Sequence, residues 1–414
     1  MSAGAVSVVG VRLLHTSDWH LGRSFHRADL TSAQGDFLDW LVQLAVAREV
    51  DAVLVAGDIF DRAVPSVDAV SIASRALAQL AAAGVTVVVT SGNHDSATRL
   101  GFGSELATAA GVHVRTRLEG VDQPVTLTDD HGPLHVYPIP YLDPDVVHTA
   151  LGVGRSHADV FGAVMERIAS HREANPGRAI AVGHAFVTGG APSDSERDIR
   201  VGGVNDISAS LFDGLDYVAL GHLHGAQIVA GSSAVVRYSG SPLAYSFSEV
   251  GHRKSVTLVE IDAEGQVRCE IVETPVPRSI ATIRGRLDDL LVDPLLAVHE
   301  SAWLQVTLTD ERRPDAPLER LRRRFPHVLV IEFRPEGAGV TVAADLARLR
   351  SVGSDPVEVG RAFLAYVAGE PDDTEMSVFA SAEESARGRG EALHALPGAV
   401  SGAPEPAVQS EGSR

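Results

Sequence analysis

Five short runs of the sequence carry side chains of the kinds that bind metal ions. They combine Asp, Asn and His, and they are Asp18-Trp19-His20, Gly57-Asp58, Gly92-Asn93-His94-Asp95, Gly183-His184 and Gly221-His222-Leu223-His224. Carboxylate and amide oxygens with imidazole nitrogens, and no thiolate, suit divalent ions such as Mn, Fe, Mg or Zn. Each run alone is common as a turn or a helix cap. Their joint occurrence indicates one metal site.

The number of donors indicates two ions rather than one. Asp18 and His20 are two residues apart, so in an extended segment both side chains leave the same side and reach one ion. His222 and His224 have the same spacing. Asp58, alone in its run, is the natural bridging carboxylate. Two neighbouring ions can activate water and stabilise both the attacking and the leaving oxygen of an in-line displacement at phosphorus.

Each run follows an apolar stretch that predicts a buried strand. Aliphatic and β-branched residues dominate these stretches, which are residues 11–14, 52–56, 85–89, 179–182 and 217–220. Such stretches are typical of strands that are buried on both faces. Ligands bind where loops converge at the carboxyl ends of strands in α/β sheets. We therefore expect the five runs to meet in space.

The rest of the first 275 residues favours an α/β fold. Residues 35–49 and 66–83 have apolar positions at helical spacing, and each stretch separates two predicted strands. Residues 112–140 read as shorter strands and turns, residues 160–174 as a helix and residues 255–261 as a closing strand. Either a mixed sheet or a two-sheet sandwich, flanked by helices, fits this order.

Pro275-Val276-Pro277 marks a predicted domain boundary, because prolines interrupt strand pairing. Beyond it, predicted strands at 280–284, 303–308 and 328–333, with a helix at 317–325, indicate a small α/β domain over residues 276–350. Residues 351–385 contain an amphipathic helix at 357–367 and the start of a second at 376–379, a pattern typical of a docking element for a partner helix. The apolar positions of the first helix are Val357, Phe363, Leu364 and Val367. Residues 386–414 are expected to be disordered.

Composition is consistent with a cytoplasmic enzyme. The chain has 414 residues, of which 45% are apolar, and Cys269 is its only cysteine, so no intrachain disulfide can form. Residues 1–10 lack the features of a signal peptide. No apolar run approaches the roughly twenty residues that span a bilayer, so no membrane association is expected.

The charge balance opposes autonomous DNA binding. The net charge is -19, whereas a chain that binds DNA alone usually presents a basic face. Four arginines near the runs, Arg23, Arg27, Arg62 and Arg99, are expected to be solvated by default. ATP chemistry is also unexpected, because the only lysine, Lys254, follows Arg253 where a P-loop requires glycine.

The order of the five runs resembles the calcineurin-like metallophosphoesterase superfamily. Longer motifs resemble its SbcD family, the nuclease subunits of bacterial SbcCD DNA repair complexes. These motifs are His15-Thr16-Ser17-Asp18-Trp19-His20-Leu21-Gly22, Phe37-Leu38-Asp39-Trp40-Leu41, Ala56-Gly57-Asp58-Ile59-Phe60-Asp61 and Tyr238-Ser239-Gly240-Ser241-Pro242. The resemblance implies a two-sheet β-sandwich flanked by helices, a small α/β capping domain that helps to select DNA, and a C-terminal helical docking element.

The resemblance also implies roles for the site residues, with two ions that we expect to be Mn²⁺. One ion is held by Asp18, His20, Asp58 and His224, and the other by Asp58, Asn93, His184 and His222. His94 carries no metal and either stabilises developing charge or protonates the leaving sugar oxygen. Asp95 is expected to orient the His94 ring. Asp61 either accepts a hydrogen bond behind the site or caps the helix that follows.

The function that the resemblance implies is that of a Mn-dependent DNA nuclease. Its activities are those of a double-strand 3′-5′ exonuclease and a single-strand and hairpin endonuclease, exercised with an SbcC-like coiled-coil ATPase in DNA repair, recombination and replication. The chain is expected to form a homodimer within a heterotetramer, with residues 66–83 as the candidate pairing helix. Two alternatives are a phosphodiesterase for small substrates, which the accessory domain and docking helices oppose, and a metal-free scaffold, which the complete ligand set opposes.

Overall fold

The computed structural model of the protein describes residues 10–196, 207–336, 355–368 and 371–394. The chain forms two compact units. One comprises Met1–Ile283, Leu295–Val306 and Phe325–Val330, and the other comprises Arg284–Pro294, Thr307–Arg324 and Ile331–Arg414. Among the described helices, none combines the length and the apolar character that crossing a bilayer requires.

Six strands form the first large sheet. In spatial order they are β12 (Val267–Glu273), β11 (Ser255–Ile261), β1 (Val11–Thr16), β2 (Ala52–Ala56), β3 (Thr86–Thr90) and β4 (Val112–Arg115). The strands from β1 to β4 run parallel, and β11 and β12 add antiparallel pairings at one edge. Parallel order places the ends of β1, β2 and β3 at the same edge of the sheet.

Six strands also form the second large sheet. In spatial order they are β5 (Val125–Asp129), β6 (Gly132–Ile139), β7 (Arg178–His184), β8 (Tyr217–Gly221), β10 (Val235–Tyr238) and β9 (Gln227–Val229). The four central strands are parallel and the two edge strands are antiparallel to their neighbours. The ends of β7 and β8 therefore also lie side by side.

The ten described α-helices alternate with these strands or follow them. They are α1 (Thr31–Ala47), α2 (Val67–Ala82), α3 (Ala97–Leu100), α4 (Ser104–Thr108), α5 (Pro144–Leu151), α6 (His157–Ala174), α7 (Leu287–Val292), α8 (Pro317–Arg322), α9 (Pro356–Ala368) and α10 (Asp373–His394). Ser66 and Ser156 cap α2 and α6, because their hydroxyls accept the N–H groups of Ala69 and Asp159 in the first turn.

Three apolar clusters hold the two large sheets and their helices together. One lies between the sheets and joins Leu13 and Leu54 of the first sheet to Val136 and Ile180 of the second. A second cluster packs the first sheet against α1 and α2, and a third packs the second sheet against α6. The sequence prediction of a two-sheet α/β sandwich flanked by helices is confirmed, and the alternative of one mixed sheet is wrong.

A third sheet of three strands follows, in the order β13 (Ile280–Gly285), β14 (Trp303–Leu308) and β15 (Val328–Phe333). The predicted bounds of β11, β14 and β15 match these residues. The second C-terminal helix, α10, runs to His394, whereas the composition predicts disorder from residue 386. Residues 386–394 include Ala, Arg, Glu and Leu, which are good helix formers, beside two glycines, which are poor ones. The rest of the predicted tail lies outside the described residues.

Candidate metal centre

The five predicted runs lie together at the adjoining strand ends of the two large sheets. The first three follow β1, β2 and β3, and the last two include the ends of β7 and β8. Asp18 donates its N–H to the carbonyl of Gly57 (3.1 Å), and His20 donates to the carbonyl of Asp58 (3.0 Å), so the first two runs are bound directly to each other. The expectation that these runs meet in space is therefore met by the fold.

One group of donors, here called the first cluster, consists of Asp18, His20 and His224. One ligand atom from each lies within 4.8 Å of the others. The Nε2 atoms of His20 and His224 are 3.1 Å apart. Both carboxylate oxygens of Asp18 accept the N–H of His222, at 3.0 and 3.2 Å. Two imidazole nitrogens and a carboxylate that converge in this way fit a divalent cation.

The second cluster consists of Asn93, His184 and His222. Nδ1 of His184 donates to the carbonyl of Ala56 (3.0 Å), so in the neutral ring Nε2 carries a lone pair. That Nε2 faces Oδ1 of Asn93 at 2.9 Å. Two acceptors that face each other are stabilised by a cation between them. The ring of His222 lies 5.4 Å from that of His184, measured between centroids.

Asp58 lies between the two clusters. Its Oδ2 is 3.7 Å from Nε2 of His20 and 3.4 Å from Nε2 of His184. Its Oδ1 accepts the N–H of His94 at 2.8 Å. One carboxylate oxygen therefore has a histidine of each cluster close by, as a bridging carboxylate requires.

Four of these residues adopt left-handed backbone conformations that disfavour side chains. The φ angles are 53° for Asp18, 44° for His20, 51° for Asp58 and 107° for His222. Each such residue costs of order 1–3 kcal/mol, and residues of this kind concentrate at functional sites. The loops that carry these residues therefore adopt strained conformations that place the side chains at the site, at a cost in stability.

Glycines permit close approaches at the site, both between the two sheets and between neighbouring runs of one sheet. A Cβ at Gly221 would lie 1.8 Å from the carbonyl oxygen of Ala56, and a Cβ at Gly92 would lie 2.1 Å from Oδ1 of Asp58. Neither position can hold a side chain without displacing a neighbour. Glycine is thus required at these two positions because no other residue fits the available space. The sequence motif does not reveal this requirement by itself.

Burial keeps the histidines neutral, which is the form that binds metal. It lowers the pKa of His184 to about 4, with the Ala56 carbonyl opposing the change. Burial also lowers the pKa of His20 and of His222, and neighbouring histidines lower both further. Burial and then the charge of Asp58 raise the pKa of Asp18, so this pair of carboxylates needs positive charge nearby.

The surroundings of His94 differ from the sequence prediction. Its Nδ1 donates to the main-chain carbonyl of Asp61 (2.8 Å), and its Nε2 is 4.0 Å from Oδ2 of Asp58. Asp95 instead accepts three main-chain N–H groups, from Gly92 (2.9 Å), Phe60 (3.0 Å) and Ile59 (3.1 Å). Asp95 thus ties the third run to the second, because its carboxylate can accept several N–H groups at once. The His94 ring is therefore oriented by its hydrogen bond to the Asp61 carbonyl, and not by Asp95.

Asp61 lies behind the site rather than at the start of the next helix. Its carboxylate is 3.9 Å from Nδ1 of His20 and 4.0 Å from Nδ1 of His94, and Ser66 caps α2 instead. The predicted helix cap is therefore wrong, and the hydrogen bond that Asp61 accepts from His94 goes to its main-chain carbonyl rather than to its carboxylate.

Several residues near the centre were not found from the sequence. The ring of Tyr141, which follows β6, lies 6.3 Å from that of His184. Ser195 and Glu249 lie beside His224, with Nδ1 at 2.6 Å from the Ser195 hydroxyl and 3.7 Å from Glu249. Tyr141 could have been found, because it too follows an apolar strand. Ser195 lies in a polar loop and Glu249 ends a short 3₁₀ helix, and neither position gives such a signal.

The arginines near the runs divide into two kinds. Only 19% of the Arg23 side chain is exposed, and its guanidinium lies 4.9 Å from the centre of the Tyr245 ring and donates to the carbonyl of Ser195. Arg62 is 81% exposed, as expected for a solvated side chain. The default expectation is therefore wrong for Arg23, because the adjoining loops enclose it.

Comparisons with known proteins agree with this site. Residues 11–226 match the family model described as Calcineurin-like phosphoesterase, and residues 276–367 match that of the Type 5 capsule protein repressor C-terminal domain. SbcD of Escherichia coli, a subunit of the nuclease SbcCD, is 32% identical over 315 residues, covering 73% of this chain and 78% of that protein. SbcD of Staphylococcus saprophyticus is 28% identical over 327 residues, covering 78% and 84%.

A solved dimetal phosphatase from Danio rerio overlaps with a TM-score of 0.38 at 14% identity, covering 64% of this chain and 98% of that chain, which is too weak to add to the assignment. The family model covers more than half of the chain, and the Escherichia coli relative exceeds 30% identity over most of both proteins. The chain belongs to the calcineurin-like phosphoesterase family and, within it, to the SbcD family of nuclease subunits.

Proposed function

We propose that this chain is a Mn-dependent DNA nuclease that hydrolyses phosphodiester bonds at a two-ion site. The observation that carries the proposal is the position of Asp58, with one oxygen 3.7 Å from His20 and 3.4 Å from His184. That position lets the two clusters share one carboxylate. The names of the relatives support a nuclease rather than a phosphatase.

The proposed ligands follow the two clusters. Asp18, His20, Asp58 and His224 would hold one ion, and Asp58, Asn93, His184 and His222 the other. Two divalent ions in such a site supply charge stabilisation and water activation for displacement at phosphorus. Oxygen and imidazole donors without thiolate are compatible with Mn²⁺.

His94 is the proposed general acid. Its Nδ1 gives a hydrogen to the Asp61 carbonyl, so Nε2 is the nitrogen that holds or releases the transferred proton. Nε2 lies on the side of Asp58, where the substrate phosphate would approach. Since His20, Asp58 and His94 also form a possible metal group, the metal content of a His94 variant decides between the two roles.

We propose that the C-terminal helices bind an SbcC-like coiled-coil ATPase. Two observations support this: α9 packs against α10, and the relatives are named as subunits of a complex. Deletion of residues 356–414 should retain hydrolysis of a small phosphodiester and lose the ATPase in a pull-down. Retained binding would refute the docking role.

We also propose that the chain forms a homodimer through α2 and α4. The groove along these helices, about 590 Å³, is mostly apolar, and nearby Phe102 and Leu106 are 90% and 83% exposed. Replacing Phe102 by Glu should shift the sedimentation coefficient to that of a monomer. Ile228, an exposed apolar residue on β9, provides the matched control through the same replacement. A monomeric wild-type chain would contradict the proposal.

The decisive experiment compares substrates. The purified chain is incubated with Mn²⁺ and with hairpin-ended, single-stranded or blunt duplex DNA, with and without its cognate ATPase, and a chromogenic phosphodiester is tested in parallel. We expect 3′-5′ degradation of duplex ends and endonucleolytic opening of hairpins, stimulated by the ATPase. These activities would serve repair, recombination and replication of DNA in the cytoplasm.

Two outcomes would contradict this proposal and support one of the alternative functions. Hydrolysis of the small phosphodiester without cleavage of any DNA, even with the ATPase, would indicate a phosphodiesterase for small substrates. Purified protein that binds no divalent ion would indicate a scaffold of the same fold. Metal analysis and the parallel assay separate the two.

A further inference from the structure

The only lysine of the sequence is buried directly behind the first cluster. Nζ of Lys254 donates to the carbonyl of His224 (3.0 Å), to the hydroxyl of Ser241 (2.9 Å) and to the carboxylate of Glu249. All three donors of the ammonium group are therefore used. The side chains of Lys254 and Glu249 are 4% and 0% exposed, so this ion pair has almost no contact with bulk water.

Glu249 connects this ion pair to the imidazole of His224. Its Oε1 lies 3.7 Å from Nδ1 of His224 and accepts the N–H of Tyr245 at 2.9 Å. A buried carboxylate costs several kcal/mol unless it is paired and hydrogen-bonded. Lys254 and the Tyr245 N–H supply that compensation, so the Glu249 carboxylate is held at a fixed position next to the ring.

A short segment, residues 193–196, holds His224 from another direction. The hydroxyl of Ser195 lies 2.6 Å from Nδ1 of His224, and Glu196 accepts the main-chain N–H of His224 at 2.7 Å. The other oxygen of Glu196 accepts the N–H and the hydroxyl of Ser193, both at 2.7 Å. Both the ring and the backbone of His224 are thus fixed by side chains.

The arrangement sets the tautomer of His224. A histidine that binds metal through Nε2 must carry its hydrogen on Nδ1. An acceptor at Nδ1 enforces this tautomer, orients the ring and raises its basicity. Nε2 of His224 is the atom that lies 3.1 Å from Nε2 of His20, so the network directs the correct nitrogen into the first cluster.

We propose that Ser195, Glu249 and Lys254 are positioning residues for the ion of the first cluster. The inference rests on the proposed two-ion function and adds residues that none of the five runs contains. Glu249 and Ser195 orient the imidazole, and Lys254 holds the Glu249 carboxylate and the His224 main chain in place. Loss of such a partner behind a ligand typically lowers metal affinity by about 10- to 100-fold.

The test measures metal binding by the full chain. Chelator-treated protein is titrated with Mn²⁺, and free Mn²⁺ is followed by electron paramagnetic resonance. Wild type should bind two ions, and E249Q should bind one of them about 10- to 100-fold more weakly while keeping the other. E273Q is the matched control, because Glu273 is exposed and pairs with Arg253 at the surface. It should bind both ions as the wild type does.

A second pair of variants protects the test against misfolding of E249Q. S195A removes one hydroxyl and should weaken the same ion, and S195T should restore its affinity. Equal affinity for both ions in wild type, E249Q and S195A would overturn the positioning role. Wild type that binds fewer than two ions would instead contradict the two-ion function, so the two failures are distinguishable.

Discussion

The two clusters of the proposed metal centre fix their histidines by different means. His184 of the second cluster is backed by the main-chain carbonyl of Ala56, on a strand of the opposite sheet. His224 of the first cluster is backed by the side chains of Ser195 and Glu249. The sheets themselves therefore position a histidine of the second cluster, whereas segments outside the sheets position a histidine of the first cluster. Substitutions can test separately how metal binding depends on the main-chain carbonyl behind His184 and on the side chains behind His224.

Asp58 belongs to both clusters, and its replacement should have the largest effect. D58N is expected to weaken both ions and to lower the rate of phosphodiester hydrolysis by about 10³-fold or more, because several kcal/mol of charge stabilisation depend on the ions. Mn²⁺ titration and steady-state kinetics check this, with D130N, an exposed carboxylate, as control. Loss of one ion alone would show that the clusters do not share Asp58.

His94 belongs to neither cluster in the proposed assignment. H94A should lower kcat by about 10²- to 10⁴-fold, the usual contribution of general acid catalysis, while two ions stay bound. The measurement combines kinetics with metal analysis of the same preparation. H131A, at an exposed histidine, is the control. A preparation of H94A that has lost one ion would make His94 a ligand instead.

Gly221 tests the dependence of the second cluster on the sheets. A Cβ there would lie 1.8 Å from the Ala56 carbonyl and 2.9 Å from Nδ1 of His184. G221A should therefore lower the free energy of unfolding by about 1–3 kcal/mol and weaken the ion of the second cluster more than that of the first. G251A is the control, since nothing lies within 4 Å of its added Cβ. Equal weakening of both ions would remove the distinction between the clusters.

The smallest expected effect is a pH dependence of stability in metal-free protein. The pKa of His184 is lowered from 6.5 to about 4, so between these values the unfolded state binds more protons than the folded state. For this histidine the free energy of unfolding should then rise with pH across this window, by up to about 1.4 kcal/mol per pH unit. The lowered pKa values of His20 and His222 act in the same direction, and the raised pKa values of Asp18 and Asp95 act in the opposite direction. Because the histidines are more numerous, the net free energy of unfolding should still rise with pH. Urea unfolding at pH 4.5 and 6.5 measures it. Saturating Mn²⁺ should reduce the dependence, and a flat profile without metal would contradict it.

The strands and the five runs were predictable because each follows a simple rule, of sequence pattern for the strands and of sheet geometry for the runs. Apolar stretches such as residues 52–56 can only be buried strands in this context, and polar residues that follow parallel strands must meet at one edge. The number of sheets was not determined by this pattern alone, since either a mixed sheet or a sandwich has the same strand order. The apolar cluster between the sheets decides it, and that cluster joins residues distant in the chain, such as Leu54 and Ile180.

The partners behind the ligands could not be predicted for a different reason. His94 is oriented by the main-chain carbonyl of Asp61, and every residue has a carbonyl, so no residue type marks the position. Asp95, by contrast, has the residue type expected for a partner but serves main-chain N–H groups. Edge strand β12 was not predicted, although apolar Val267, Cys269 and Ile271 alternate with charged residues, and most of its side chains are exposed in the fold.

Because Lys254 is the only lysine and is buried, its reactivity can report local opening of the protein. No other side chain in the sequence carries a primary amine, and this one is enclosed together with Glu249. An acylating reagent therefore reaches a lysine only when the region behind His224 opens. The rate of acylation at this single position would time that local opening in the intact protein, without any added dye or engineered label.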